Sequence, residues 1–131
     1  MARRTWACGL VALLGIATMA NAEEPPTYER DLKPFLAKRC AACHNAKKVG
    51  DVDVSGGLAL DTYEAVTGVA NGHKIVVPGK VSESELFRRL VETDEDRRMP
   101  LSEKPLAPAQ QDLVRRWIEA GAPRGEILPE P

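Results

Sequence analysis

Residues 40–44 read Cys40-Ala41-Ala42-Cys43-His44. Two thiols three residues apart, with an imidazole directly after the second, form the C-x-x-C-H pattern of covalent haem c attachment. The spacing follows from the chemistry. Residues three apart on a helical turn project from the same face, so both thiols can add to the two vinyl groups along one edge of a porphyrin. His44 then presents a ring nitrogen to the iron from the same side, and the small Ala41 and Ala42 let the macrocycle lie close to the backbone. Three other chemistries share parts of this pattern. A thioredoxin-like redox pair expects a preceding strand and a βαβ context. A structural zinc needs four ligands, and outside the leader discussed below only Cys40, Cys43, His44 and His73 are on offer. A Cys40–Cys43 disulfide is compatible with an exported chain.

Outward from the motif the sequence reads as helices joined by long loops. Upstream, Tyr28, Leu32, Phe35 and Leu36 recur at helical spacing behind Thr27, a residue type that caps helices. Pro34 interrupts this pattern, so a kink is expected there, or a helix that begins properly near it and runs into Cys40. Downstream, Asn45–Gly57 reads as loop, with the Gly56-Gly57 pair and no apolar stripe. Asp61 is placed to cap a short helix through Tyr63, Ala65 and Val66 that stops at Gly68. Asn71-Gly72 marks a turn, and Ile75-Val76-Val77 is an extended apolar stretch halted by Pro78-Gly79. Ser82 with Glu85 has capping-box spacing ahead of Leu86, Phe87, Leu90 and Val91. Pro108 suits the first turn of a final helix whose stripe is Leu113, Val114, Trp117 and Ile118, and Gly121 is placed to end it. The expected fold class is all-α: a small cytochrome c-like domain of three to four helices and long loops wrapped around a covalent haem.

Haem iron has a second axial position, for which Met and His are the usual ligands. Met99, in the loop Arg98-Met99-Pro100, is the favoured distal ligand, because Met1 and Met19 fall in the leader. His73 beside Gly72 is the rival. Met/His ligation raises the reduction potential and closes the iron to substrates, which suits electron transfer. Leu58, Leu60, Ile75, Val76, Leu86, Leu90 and Trp117 are candidates for the pocket wall, though apolar stripes are core by default. Arg97, Arg98 and Lys80 are candidate partners for the haem propionates, or solvated surface charges. The Trp117 indole N–H reaches a propionate or simply packs.

The chain start has a separate role. Arg3 and Arg4 precede an apolar run to Ala20, followed by Ala20-Asn21-Ala22. This is the layout of a secretory signal peptide with cleavage after Ala22; an uncleaved anchor or a twin-arginine signal are the other readings. The expected division is 1–22 signal peptide and 23–131 cytochrome c domain, exported or periplasmic, with no transmembrane segment after cleavage. Loss of Arg3 and Arg4 takes the net charge from −1 to −3. The full chain of 131 residues has 18 Lys+Arg against 19 Asp+Glu, without the basic excess of a nucleic-acid binder. Three cysteines do not make a disulfide scaffold. Aromatic residues are scarce at 5%, so a bound haem is expected to supply the large flat body of the core, and the haem-free chain to fold poorly.

Further segments occur in a fixed order around the motif: Gly56-Gly57-Leu58-Ala59-Leu60-Asp61, Ile75-Val76-Val77-Pro78-Gly79-Lys80, Ser84-Glu85-Leu86, Arg97-Arg98-Met99-Pro100 and Trp117-Ile118-Glu119-Ala120-Gly121-Ala122. Together with Cys40–His44 they resemble the planctomycete-type cytochrome c domain, a relative of class I c-type cytochromes, over about residues 28–122. The resemblance implies a compact helical haem domain, with Met99, in the Arg-Met-Pro segment, as distal ligand. It also implies that haem is attached to an unfolded chain outside the cytoplasm. The expected function is a non-enzymatic electron carrier or electron-transfer subunit with one covalent haem c, working with redox partner proteins. The alternative is a peroxidase-like or ligand-sensing module with a labile distal site.

Overall fold

In a computed structural model of the protein, residues 23–127 and Pro129 are described; the leader expected at 1–22 lies outside them. The chain is mostly helical. Five α-helices occur among the described residues: α1 (Lys33–Arg39), α2 (Val52–Ser55), α3 (Tyr63–Val66), α4 (Glu85–Leu90) and α5 (Pro108–Glu119). Two of them, α2 and α3, are single turns, and α2 is the one the loop reading of 45–57 passed over. A small antiparallel hairpin pairs β1 (Val69–Ala70) with β2 (His73–Lys74). Its turn is Asn71-Gly72, with φ of 52° and 77°, the left-handed pair that a two-residue hairpin requires.

The kink expected around Pro34 takes the form of a wide π-type turn over Tyr28–Leu32 that runs straight into α1. Proline has no N–H for the carbonyl four residues back, and its ring clashes with that carbonyl. Here the N–H of Leu32 reaches back five residues to the Thr27 carbonyl (3.2 Å) and that of Lys33 to Tyr28, which widens the turn ahead of the ring. The Thr27 side chain does not cap this helix; the Asp31 carboxylate instead accepts the Thr27 N–H at 2.7 Å.

Two other caps also move by one or two residues. Thr62, not Asp61, caps α3, its Oγ1 accepting the Ala65 N–H at 3.2 Å. Ser84, not Ser82, precedes α4. It is fully buried, and its hydroxyl bridges strands of loop by donating to Lys80 O (2.8 Å) and accepting from Val77 N (2.9 Å). The long final helix starts at Pro108 and ends at Glu119 ahead of Gly121, as its punctuation predicts.

The core runs from the first turn to the last helix. Tyr28, Leu32 and Leu36 meet Val114, Trp117, Ile118 and Ala122, joined by Leu60, Val66, Ile75, Val76, Leu86, Leu90 and Leu106. Tyr28 packs against Tyr63 edge to face (5.4 Å between centroids) and against Trp117 at 6.3 Å. Three of the five aromatics among the described residues therefore concentrate at one point within the protein's own core. The Tyr28–Leu32 turn and the segment after α5 clasp each other there. The Pro123 carbonyl accepts both the Tyr28 N–H and the Trp117 Nε1–H, each at 2.9 Å. The Glu29 N–H donates to Arg124 O, and Arg124 pairs with Glu29 at 3.2 Å and Glu64 at 2.6 Å. Gly125 (φ +79°) closes this clasp, since a Cβ there would lie 2.6 Å from the Thr27 hydroxyl. Among the described residues no helix is long and apolar enough to cross a membrane.

Candidate functional site

Helix α1 delivers the Cys40–His44 segment. Its axial run ends at Cys40, where φ of −129° leaves the helical range. The Cys40 and Ala41 N–H groups still bond to Leu36 O, at 2.8 and 2.9 Å. A second turn then closes: His44 N–H donates to Cys40 O at 2.9 Å and Cys43 N–H to the same carbonyl at 3.2 Å. Cys40, Cys43 and His44 thus sit on one hydrogen-bonded turn with α-type closure, the arrangement the spacing argument asked for. Asn45 holds it from the far side, its side-chain amide donating to Ala41 O at 2.6 Å.

The two thiols are free and differ in environment. Cys43 is exposed and Cys40 partly buried, packed on the core cluster as Phe35, Leu58 and Met99 are. Burial pushes the Cys40 thiol up to about 11, Glu103 adds to the rise, and Arg39 opposes it. The thiolate is the reactive form. At pH 8, iodoacetamide is expected to alkylate Cys43 of the haem-free chain well before Cys40, and denaturant is expected to abolish the difference; mass spectrometry of timed digests reads both. Equal rates in the folded chain would contradict this burial.

Met99 lies in the loop after α4, anchored where its N–H donates to Arg89 O at 2.9 Å. That loop is tied to the cysteine turn from a distance of 64 residues: Arg39, next to Cys40, donates through Nη2 to the Glu103 carboxylate at 2.9 Å. His73 sits exposed on β2. The three basic candidates separate clearly. Lys80 is exposed and paired with Glu83. Arg97 is also exposed. The Arg98 side chain is only 12% exposed and its Nη2 lies 3.6 Å from the exposed Glu95 carboxylate, while its Nε is buried with no hydrogen-bond partner among the described residues. A cavity of about 320 Å³ adjoins it, lined by Leu90, Val91, Pro105 and Gln111 among others. Trp117 is not a propionate donor: it is fully buried, and Pro123 takes its N–H.

These residues meet the demands of the cofactor their pattern implies. Two free thiols on one turn, an adjoining imidazole, a half-buried thioether and a buried guanidinium with an unused N–H match the vinyls, iron and carboxylates of haem. Among the described residues no group of three or more His, Cys, Asp or Glu gathers as a metal cluster, as a zinc site would need.

A mostly helical domain with this turn at a helix exit is compatible with a small cytochrome-like domain. The family described as Planctomycete cytochrome C matches residues 40–103. That segment, from Cys40 past Met99, resembles the planctomycete cytochrome c family. Hydrazine synthase of Kuenenia stuttgartiensis is a similar solved structure, at 23% identity and a TM-score of 0.49, covering 79% of this chain. The chain spans 17% of that protein's length. No curated protein matches the chain.

Proposed function

We propose that the protein is an exported electron-transfer cytochrome that holds one haem covalently on Cys40 and Cys43. The observation that carries this reading is the Cys40–His44 turn, with both thiols free, joined by the Arg39–Glu103 pair to the loop that bears Met99. Haem iron, when bound, supplies a one-electron Fe(II)/Fe(III) couple. The chain's own residues do the rest. Cys40 and Cys43 would hold a haem through its vinyl groups, and His44 and Met99 would offer its iron an imidazole nitrogen and a thioether sulfur. Arg98 offsets a propionate charge where water is scarce. Phe35, Leu58 and Leu60 exclude water near the turn, which favours the less charged ferrous state. Redox partners meet an acidic mature surface of mild net charge, so a basic patch on the partner is favoured.

The ferric spectrum of the haem-loaded protein tests ligation. A low-spin spectrum with the weak far-red sulfur-to-iron band is expected. Met99→Ala is expected to lose that band, turn substantially high-spin and lower the reduction potential, with haem still attached. A wild-type protein that is high-spin and binds cyanide rapidly would overturn the carrier reading in favour of a catalytic or sensing one.

A further inference from the structure

Among the buried polar atoms with no hydrogen-bond partner among the described residues are His44 Nδ1 and Asp61 Oδ1, along with Tyr28 Oη, Arg39 Nε and Arg98 Nε. A buried donor or acceptor left unmade costs about 1–3 kcal/mol, so such atoms in one neighbourhood call for a reason. Two hydrogen bonds, one between backbones and one to the Asp61 side chain, bring the segments that carry the first two together. Leu60 N–H donates to His44 O at 2.9 Å, and Ala46 N–H donates to Asp61 Oδ2 at 3.0 Å. The segments 44–46 and 60–61 are therefore laced side by side, with one carboxylate oxygen engaged and the other unused. An imidazole that binds metal through Nε2 carries its proton on Nδ1 and needs an acceptor there. His44 supplies the donor and Asp61 the acceptor.

The two atoms do not bond to each other in this structure, and we infer that Asp61 is a positioning residue for His44: rotation of either side chain lets the unused carboxylate oxygen accept the Nδ1–H of the imidazole and fix the tautomer that offers Nε2 to iron. This rests on the haem reading above and adds a residue to it. A carboxylate acceptor makes the imidazole a stronger electron donor, which stabilises the ferric state and lowers the potential. Tyr28 is the competing donor. Burial and the charges of Glu29, Asp61 and Glu64 push its hydroxyl up to about 12, so it feels the same carboxylate.

The experiment uses the full chain matured with haem and measures the reduction potential of Asp61→Asn, Asp61→Glu and Tyr28→Phe. Asparagine keeps an oxygen for the Ala46 N–H and removes the charge. In Asp61→Asn the ferrous-to-ferric ratio at fixed ambient potential is expected to rise about tenfold, ~59 mV for a one-electron couple. Asp61→Glu is expected to move it back toward wild type, and Tyr28→Phe to leave it within about twofold. An unmoved potential in Asp61→Asn, or an equal shift in Tyr28→Phe, overturns the assignment. A measurement on the wild type stands beside the variants: the His44 Nδ1 proton is expected downfield and slow to exchange, with a nuclear Overhauser contact to the Asp61 β-protons. Its absence also overturns the assignment. Wild-type protein without covalent haem would sink the haem reading and this one together; covalent haem with an unmoved potential sinks only the role of Asp61.

Discussion

In the Cys40→Ala, Cys43→Ala double variant, all haem is expected to leave the chain on denaturation and acidic solvent extraction, while the wild type keeps its haem through both. The contrast is large because the two modes of attachment differ in kind. A thioether survives unfolding, whereas the coordinate bonds from His44 and Met99 depend on side chains held in place by the fold and disperse with it. The single variants separate the two thiols. Each is expected to retain haem through one bond, with the alkaline pyridine spectrum displaced by the remaining vinyl. Because Cys40 is partly buried and Cys43 exposed, Cys43→Ala leaves its one bond sheltered and Cys40→Ala leaves its one bond open to solvent. A haem-stained denaturing gel reads all three. Haem retained by the double variant would remove the attachment site from residues 40–44.

The second large effect falls on Trp117. Its side chain is fully buried against Tyr28, and its indole N–H shares the Pro123 carbonyl with the Tyr28 amide. Truncation to alanine opens a cavity and removes a hydrogen bond. A loss of about 3–5 kcal/mol is expected, against a total of roughly 5–15 kcal/mol for a domain. Trp117→Phe retains most of the volume and loses the bond, for about 1 kcal/mol. Urea unfolding of the haem-loaded protein measures both. If Trp117 formed the haem wall and not the chain's own core, the alanine variant would change the haem spectrum more than the unfolding midpoint; the reverse is expected.

The parts of the fold that could be read ahead are those written in local pattern. Helix α5 has twelve residues of period, a proline at its start and a glycine past its end, so few other readings survive. The single turns α2 and α3 have no such length. Ser55, for example, is held by its hydroxyl on the Asp51 carbonyl at 3.0 Å, a contact decided by burial and not by propensity. Asp61 and Thr62 are both cap residues, and only the backbone decides which one caps. That choice hid the contact of Asp61 with Ala46 and, through it, the proximity to His44. The candidate site divides in the same way. Thiols, imidazole and thioether are announced by residue type. Arg97 and Arg98 are indistinguishable in sequence and differ in burial alone. The Arg39–Glu103 tether spans 64 residues and has no local signal. The scarcity of aromatics suggested a core that needs a cofactor to fill it. Helical spacing put Tyr28, Tyr63 and Trp117 on apolar faces but could not show that they gather in one cluster.

The clasp between the Tyr28–Leu32 turn and the segment after α5 governs the order in which the molecule can be made. Glu29 and Arg124 lie 95 residues apart, and closing a loop of that size costs about 4 kcal/mol by (3/2)RT ln n. That cost is recovered only once Trp117, Ile118 and Pro123 are present to receive Tyr28 and Leu32. A chain that emerges amino end first therefore shows residues 28–44 to its surroundings long before it holds the side chains that bury them. During that interval Cys40 has no core to sink into and its thiol keeps an ordinary acidity. The segment after α5 acts as a timer, keeping both sulfurs open to chemistry until residues 117–124 have emerged.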